Sequence, residues 1–406
     1  MEQTNLYHTK VPIAPLKICA MENCIDFAGK VDAQIRDMRQ QDRDAVEARK
    51  GQVSFYGYDA DTYMVRNRLS RFGTGEGKAT LLDSIRGTDL YIITDVINHS
   101  LTYTVCGHTH YMSPDDHYQD LKRIISASVA HAHRVNVVMP FLYEGRQHRR
   151  TNRESLDCAF ALEELVEMGV KNIITFDAHD PRITNAVPLH GLDNYMPTYQ
   201  FFRAIFDRDS DITIDKEHLM IISPDEGAMD RAVYFANNLG VDMGMFYKRR
   251  DYSQIIGGKN PIVAHEFLGS SVEGKTVIII DDMISSGDSM LDTSRELKER
   301  GAKKVIVCCT FGLFTSGLDK FDEFYRNGFI DYVVTTNLNY RDPALLTKPW
   351  YIEADMSSFA ALIINTMNHD TGMSAALDPT LRIQKLIAQY NERTREFTQM
   401  KLDFAP

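Results

Sequence analysis

Asp281 and Asp282 stand side by side at the end of an apolar run, Val277-Ile278-Ile279-Ile280, and are followed closely by Ser285, Ser286, Gly287, Asp288 and Ser289. Four consecutive β-branched residues predict a buried parallel strand. Leu291, Ser294, Leu297 and Lys298 fall at helical spacing beyond the small residues and predict a helix over 290–300. A helix start leaves backbone N–H groups unpaired and carries the positive end of the dipole, so Ser and Gly there can cradle a phosphate. Two carboxylates ahead of such a cradle can hold ribose hydroxyls or a hydrated Mg²⁺ ion. Residue types and order together predict a site for a ribose 5-phosphate group.

Four further clusters follow apolar runs in the same way. Tyr143-Glu144-Gly145-Arg146-Gln147-His148 comes after a predicted strand at 135–140, and Arg146 and Gln147 offer several donors to a polyphosphate. Asp177-Ala178-His179-Asp180 follows a strand at 172–176, where a neutral His beside acids can orient a phosphate or hold Mg²⁺; a His simply satisfied by Asp180 is the other reading. Ser223-Pro224-Asp225-Glu226-Gly227 follows a strand at 219–223. Lys248-Arg249-Arg250 closes a strand at 242–247 and opens a polar segment reaching Gly258; its cations could clamp a transferring phosphoryl group. Loops at the carboxyl ends of parallel strands are where α/β proteins bind ligands.

The elements that must position these clusters alternate between strand and helix. One series has strands at 90–94, 135–140 and 172–176 with helices at 118–133 and 155–168. A second has strands at 219–223, 242–247, 276–280, 305–310 and 332–335 with helices at 228–239 and 290–300. Such alternation predicts parallel sheets flanked by helices, and two series predict two similar α/β domains joined near 193–215. The 406-residue length allows both. Segments 36–66, 99–117 and 369–406 fit the alternation poorly. The last carries a helical run over 380–400 with Leu381, Ile383, Leu386, Ile387 and Tyr390 along one face, expected to pack on a neighbouring surface.

A formal charge of −11 argues against general nucleic-acid binding, which needs a basic face. No run approaches the length of a membrane span, the first ten residues hold no apolar signal-type stretch, and the six cysteines form no disulfide framework. A cytoplasmic protein is expected. Cys106-Gly107-His108-Thr109-His110, with His117 beyond, permits a zinc site but lacks a paired Cys-x-x-Cys knuckle; a polar surface insertion is the preferred reading.

Taken in order, the clusters resemble the ribose-phosphate diphosphokinase (PRPP synthetase) family. The family's Phe-Ser-Asp-Gly-Glu is similar to Phe72-Gly73-Thr74-Gly75-Glu76, and its Val-Arg-Gly-x-Asp to Ile85-Arg86-Gly87-Thr88-Asp89. Tyr-Ala-Arg-Gln-Asp resembles the stretch from Tyr143 to His148, and Asp-Leu-His resembles Asp177-Ala178-His179. Ser-Pro-Asp-x-Gly and Lys-Arg-Arg are kept at Ser223 and Lys248, the PRPP loop is the opening motif, and Phe314-Thr315-Ser316-Gly317 resembles Phe-Ser-Gly. The stretch from Glu353 to Phe359 is similar to the family's final strand and helix, so the likeness runs over residues 17–368.

The resemblance implies an α/β fold of two phosphoribosyltransferase-like domains, each a mainly parallel sheet flanked by helices, plus a helical C-terminal extension. The expected domains are 1–200 on the ATP side without a PRPP loop, 201–345 with the loop, and 346–406 as closing strand, helix and tail. It implies transfer of the diphosphoryl group of MgATP to the 1-hydroxyl of ribose 5-phosphate, with Mg²⁺ as cofactor and a dimer-based homo-oligomer. Lys248, Arg250 and His179 would be catalytic. Asp281, Asp282, Ser285, Ser286, Gly287, Asp288, Ser289 and Asp225 would bind ribose 5-phosphate. Phe72, Glu76, Arg146 and Gln147 would bind ATP, Phe72 across a subunit boundary, and His179 and Asp225 would meet the metal. The chain departs from the family at Thr74, His148, Ser285 and Asp288. Asp288 brings a negative charge to the cradle, which opposes phosphate unless it faces solvent or a cation. Three rival readings remain: a diphosphokinase for another ribose-5-phosphate-containing acceptor, a weakly active regulatory paralogue, and a phosphoribosyltransferase. The last would not need Arg146, Gln147 or His179.

Overall fold

Apolar β-branched runs become strands of two separate sheets in the computed structural model, which describes residues 11–48, 55–250, 262–374 and 378–403. In chain order the first half contains β1 (Leu16–Ala20), α1 (Ile25–Ala48), β2 (Asn67–Arg71), β3 (Gly77–Leu81), β4 (Asp89–Ile93), β5 (Thr102–Val105) and β6 (His108–Tyr111). It continues with α2 (Pro114–Ser128), β7 (Arg134–Val138), α3 (Asp157–Glu167), β8 (Asn172–Phe176) and β9 (Gly191–Tyr195). Then come α4 (Thr198–Arg208), β10 (Leu219–Ser223), α5 (Met229–Leu239), β11 (Asp242–Arg250), β12 (Ile262–Leu268), β13 (Thr276–Ile284) and α6 (Asp288–Glu299). The chain ends with β14 (Lys304–Gly312), α7 (Asp319–Arg326), β15 (Tyr332–Thr336), β16 (Tyr351–Ala354), α8 (Ser357–Asn368) and α9 (Thr380–Asp403).

Two compact units result. The first takes the chain up to Met196, Asn337–Tyr340 and the stretch from Met356 that includes α8; the second takes Pro197–Thr336, Arg341–Asp355 and the stretch from Asp378. In the first unit the strands lie in the order β1-β4-β7-β8-β9, all parallel. Its core joins Leu90 and Ile92 of β4, Val135 and Val137 of β7, Leu121 and Ile125 of α2, and Leu162 and Leu165 of α3. Arg39 of α1 is buried, and donates to Asn365 Oδ1 (2.9 Å) and Asn368 Oδ1 (2.6 Å) of α8.

The second sheet has the order β12-β11-β10-β13-β14-β15-β16, parallel except for the β11–β12 pair. Chain order reverses direction at β10, which is flanked by β11 on one side and β13 on the other. Open α/β sheets bind ligands at such a reversal, outside the carboxyl ends of the strands. In the first sheet the order runs in one direction from β1 to β9.

Several elements differ from expectation for identifiable reasons. β13 continues past Ile280 to Ile284 because β14 stays paired with it as far as Gly312. Asp281 and Asp282 therefore lie on the strand rather than beyond it. β11 runs on to Arg250 because the unforeseen antiparallel strand β12 pairs with it. α2 begins at Pro114, where Ser113 and Asp116 form a capping box, and ends at Ser128. Beyond it, His131 and His133 bond to the backbone of Gly87 and Thr88 instead of extending the helix. On α9 Ile383 and Tyr390 are buried but Leu381 is exposed, so the packed face is narrower than predicted. Tyr390 Oη accepts from Ile212 N (2.9 Å) and donates to Asp209 O (3.0 Å). No helix among the described residues is long and apolar enough to cross a membrane.

Candidate active site

β10 and β13 run in register up to Ile222 opposite Ile279. The Asp225 turn and the Asp281–Asp282 pair thus lie at the same end of neighbouring strands, at the reversal point. Asp225 accepts from Gly227 N (3.0 Å), and Ser223 Oγ donates to Asp225 O (2.6 Å), fixing a tight turn into α5. Arg231 reaches back from α5 to Asp281 (3.7 Å). Burial and the neighbouring Asp282 push the Asp281 carboxyl well above the usual range, while Arg231 opposes them. Such a crowded acidic pair is poised to share hydroxyl protons or a cation. Sequence reasoning missed Arg231. The available signal was a cation in the first turn of a helix, where the dipole disfavours it unless an acid faces it.

The loop after β13 has Ser285, Asp288 and Ser289 exposed, Ser286 half-buried and Gly287 buried. Gly287 has φ 87° and precedes α6, whose start has no side-chain cap. Leu313 N donates to Ile284 O and Thr315 N to Ser285 O, both at 2.9 Å, so the stretch matching Phe-Ser-Gly anchors the loop from below. Phe314, itself at φ 48°, packs edge-on against Phe321 at 5.0 Å, and Phe321 stacks on Trp350 at 5.6 Å. Asp288 faces both solvent and a cation: Lys320 Nζ donates to it at 2.6 Å and holds its carboxyl below the ordinary range. The condition under which Asp288 tolerates phosphate is met by Lys320, a residue that no motif in the sequence points to.

Lys248 and Arg249 pair with His265 and Ala264 on β12, and a register shift falls between Arg249 and Arg250. Bulges of this kind occur preferentially at sheet edges, where β12 lies, and beside active sites. The side chains of these three cations, and the polar segment 251–261, lie outside the described residues.

In the first unit the loops after β7 and β8 meet. His148 Nε2 lies 3.1 Å from Asp180 Oδ2, and the rings of His148 and His179 are 5.6 Å apart. An acid at 148, as in the motif this stretch resembles, would face Asp180 as a like charge; His148, when protonated, makes the contact an ion pair. Arg182 grips the same carboxylate, donating from Nε at 2.9 Å and from Nη2 at 2.5 Å. Arg182, opposed by burial and assisted by His148, lowers the Asp180 carboxyl from 3.8 to about 2. A carboxyl depressed on folding stabilises the protein above its unfolded pKa, and that contribution disappears as pH falls through the folded value. Asp180→Asn is therefore expected to cost about 1–2 kcal/mol at pH 7, discounted for the exposed Arg182. The difference from the parent should shrink between about pH 4 and pH 2; urea denaturation across that range checks it.

Arg146 is exposed at the loop tip. Gln147 braces that loop, donating from Nε2 to Ser155 O (2.8 Å) and Arg149 O (3.3 Å). His179 is exposed next to Asp177, which has φ 46°. Phe72 and Glu76 flank the turn between β2 and β3, closed by Phe72 N to Glu76 O at 2.8 Å, with Thr74 Oγ1 donating to Glu76 at 2.8 Å. Phe72 is 55% exposed.

Among the described residues no group of three or more His, Cys, Asp or Glu is placed to hold a metal. The hairpin β5–β6 holds Cys106, His108 and His110 in the open, whereas His117 is buried against Asn23 (3.0 Å) and Asn98 O (2.6 Å). These positions do not form a zinc site.

The family model described as the N-terminal domain of ribose phosphate pyrophosphokinase matches residues 16–169, and the one described as phosphoribosyl transferase domain matches 202–336. A ribose-phosphate pyrophosphokinase of Vibrio cholerae is 27% identical over 311 residues, covering 76% of this chain and 89% of its own. Its counterpart in Oceanobacillus iheyensis is 26% identical over 285 residues, 69% of this chain and 80% of the other. A crystal structure of phosphoribosylpyrophosphate synthetase from Mycobacterium smegmatis matches in fold with a TM-score of 0.66, at 19% identity, over 88% of this chain and 99% of that one. With both halves matched in order along a single polypeptide, the chain belongs to the ribose-phosphate pyrophosphokinase family.

Proposed function

We propose that this protein transfers the diphosphoryl group of MgATP to the 1-hydroxyl of ribose 5-phosphate, giving PRPP and AMP. The observation that carries this reading is the hydroxyl- and Gly-rich loop of β13–α6 beside two acids, at the one reversal of strand order in the second sheet. In this reading the first unit serves ATP and the second serves ribose 5-phosphate.

The 1-hydroxyl oxygen attacks the β-phosphorus and gives up its proton to water, the bond from that phosphorus to the α–β bridging oxygen breaks, and the bridging oxygen leaves on AMP. Ser286, Gly287 and Ser289 would receive the 5-phosphate at the start of α6, with Ser285 and Asp288 at the rim. Asp281 and Asp282 would orient the ribose hydroxyls. Arg146, Gln147 and His179 would meet the ATP phosphates, Gln147 after giving up its contact with Ser155. Lys248 and Arg250 would neutralise charge developing around the β-phosphorus, the main source of rate acceleration expected in such a transfer. Mg²⁺, when bound, would supply positive charge that offsets the phosphates. His179 in the first unit and Asp225 in the second would each be a separate candidate to meet an ion that arrives on the nucleotide, Asp225 as the carboxylate that Mg²⁺ typically takes together with phosphates and water. Phe72 and Glu76 would hold adenine in a neighbouring copy of the chain, a role that suits an exposed aromatic at a hairpin tip.

Purified protein with ATP and Mg²⁺ is expected to release AMP when ribose 5-phosphate is added, and not with unphosphorylated ribose. Release only with a larger acceptor ending in ribose 5-phosphate would transfer the reading to that acceptor. No AMP with any acceptor would overturn it.

A further inference from the structure

The hairpin β5–β6 belongs to neither large sheet, yet it lies against the strand and turn that present Phe72 and Glu76. The Arg71 guanidinium sits 5.2 Å from the centroid of the Tyr103 ring. A Cβ placed on Gly75 would come within 3.3 Å of Val105 Cγ2, so Val105 abuts the turn itself. At its base, Arg71 donates to both oxygens of Asp120 on α2, each at 2.7 Å, and Arg123 donates to the same buried carboxylate at 2.6 Å. Tyr103 is held in turn by cross-strand stacking on His110, 5.6 Å away. Behind these contacts lies a cavity of about 170 Å³ lined by Leu69, Arg71, Leu101, Tyr103 and Met112.

A two-stranded hairpin is marginally stable by itself. Arg71, the last residue of β2 and paired with Gly77, ties the β2–β3 hairpin to α2 beside the turn; Tyr103 lies against Arg71 and Val105 against Gly75.

We propose that β5–β6 is a brace that fixes the 72–76 turn, with Tyr103 and Val105 as positioning residues for nucleotide binding. This rests on the reading of Phe72 and Glu76 as adenine contacts. Geometry at a binding loop translates directly into substrate affinity, so the brace should act on ATP and leave ribose 5-phosphate alone.

Two measurements on the full chain test this. In Tyr103→Ala and Val105→Ala, amide exchange over residues 72–77 is expected to quicken by about 10-fold in the free protein. The KM for ATP should rise by about 5-fold, with kcat and the KM for ribose 5-phosphate within about 2-fold of the parent. Tyr103→Phe keeps the ring over Arg71 and should match the parent in both measurements. Should Tyr103→Ala fail to fold, Val105→Ala reads the same quantities after a smaller deletion. Unchanged exchange in the variants overturns the brace. Faster exchange without a rise in ATP KM, while Phe72→Ala does raise it, shows that the turn needs no bracing and also overturns the proposal. An unchanged ATP KM in Phe72→Ala overturns the adenine reading, and the brace's role with it.

Discussion

Lys248→Ala lowers turnover by about 100- to 1,000-fold, with the KM for each substrate changed only a few-fold. The expectation comes from what diphosphoryl transfer demands. No covalent intermediate is needed, so the protein's work is positioning and charge stabilisation. The substrates carry most of their negative charge before reaction, but charge shifts toward the bridging oxygen only as the bond to the β-phosphorus breaks. A cation that meets that oxygen contributes to the transition state and little to the bound substrates, so its removal appears in kcat. Lys248 and Arg250 stand at the far end of β11, the neighbour of β10 where the strand order reverses, and on either side of a register shift. Steady-state kinetics on the variant check this. An unchanged kcat, or a loss confined to KM, would remove the strand end from the transition-state machinery.

Gly287→Ala is expected to raise the KM for ribose 5-phosphate by at least about 10-fold and to destabilise the protein by about 2–4 kcal/mol. Two independent constraints meet at this residue. Its φ of 87° is costly for any residue with a Cβ, and an added Cβ would lie within 2.6 Å of the Phe321 ring. Phe321 cannot withdraw easily, being fully buried between Phe314 and Trp350. Relief must come from the loop, which would lift Ser286 and Ser289 away from the phosphate position at the start of α6. Asp288→Asn, one residue on, removes the exposed pair with Lys320 and weakens a contact with Ser286 at the surface, and should leave folding near the parent value. Thermal denaturation and ribose 5-phosphate kinetics on the two variants, measured side by side, separate a loop that must hold its shape from one that tolerates change.

The central strands were legible in the sequence because Leu219–Ser223, Val277–Ile280 and Val305–Thr310 are uninterrupted apolar runs, and such runs have few homes other than a covered parallel sheet. The loop after β13, proposed to take the phosphate, was legible as a loop for a related reason. Small residues between an apolar strand and a helix have a backbone purpose that can be read locally. What escaped was set by long-range pairing. β12 draws β11 onward through Arg250, and β14 keeps β13 extended through both acids, neither of which the local pattern of 242–250 or 276–284 discloses. The two small hairpins escaped because half-exposed strands such as Thr102–Val105 lack an apolar face. Within the site, the partners that correct each motif residue come from distant segments: Lys320 for Asp288, Asp180 for His148, Arg231 for Asp281. Residue identity revealed the charges, and only the fold revealed which of them meet.

In the proposed reaction a diphosphoryl group moves intact from ATP to the 1-hydroxyl of ribose 5-phosphate. Phosphorus NMR of a reaction containing purified protein, MgATP carrying oxygen-18 on its β-phosphoryl group and ribose 5-phosphate tests it most directly. The expected result is AMP and a sugar product in equal amounts, with the label in a diphosphate attached to C1. Formation of ADP with a single phosphate on the sugar, or label released as inorganic phosphate while the sugar is unchanged, would contradict it.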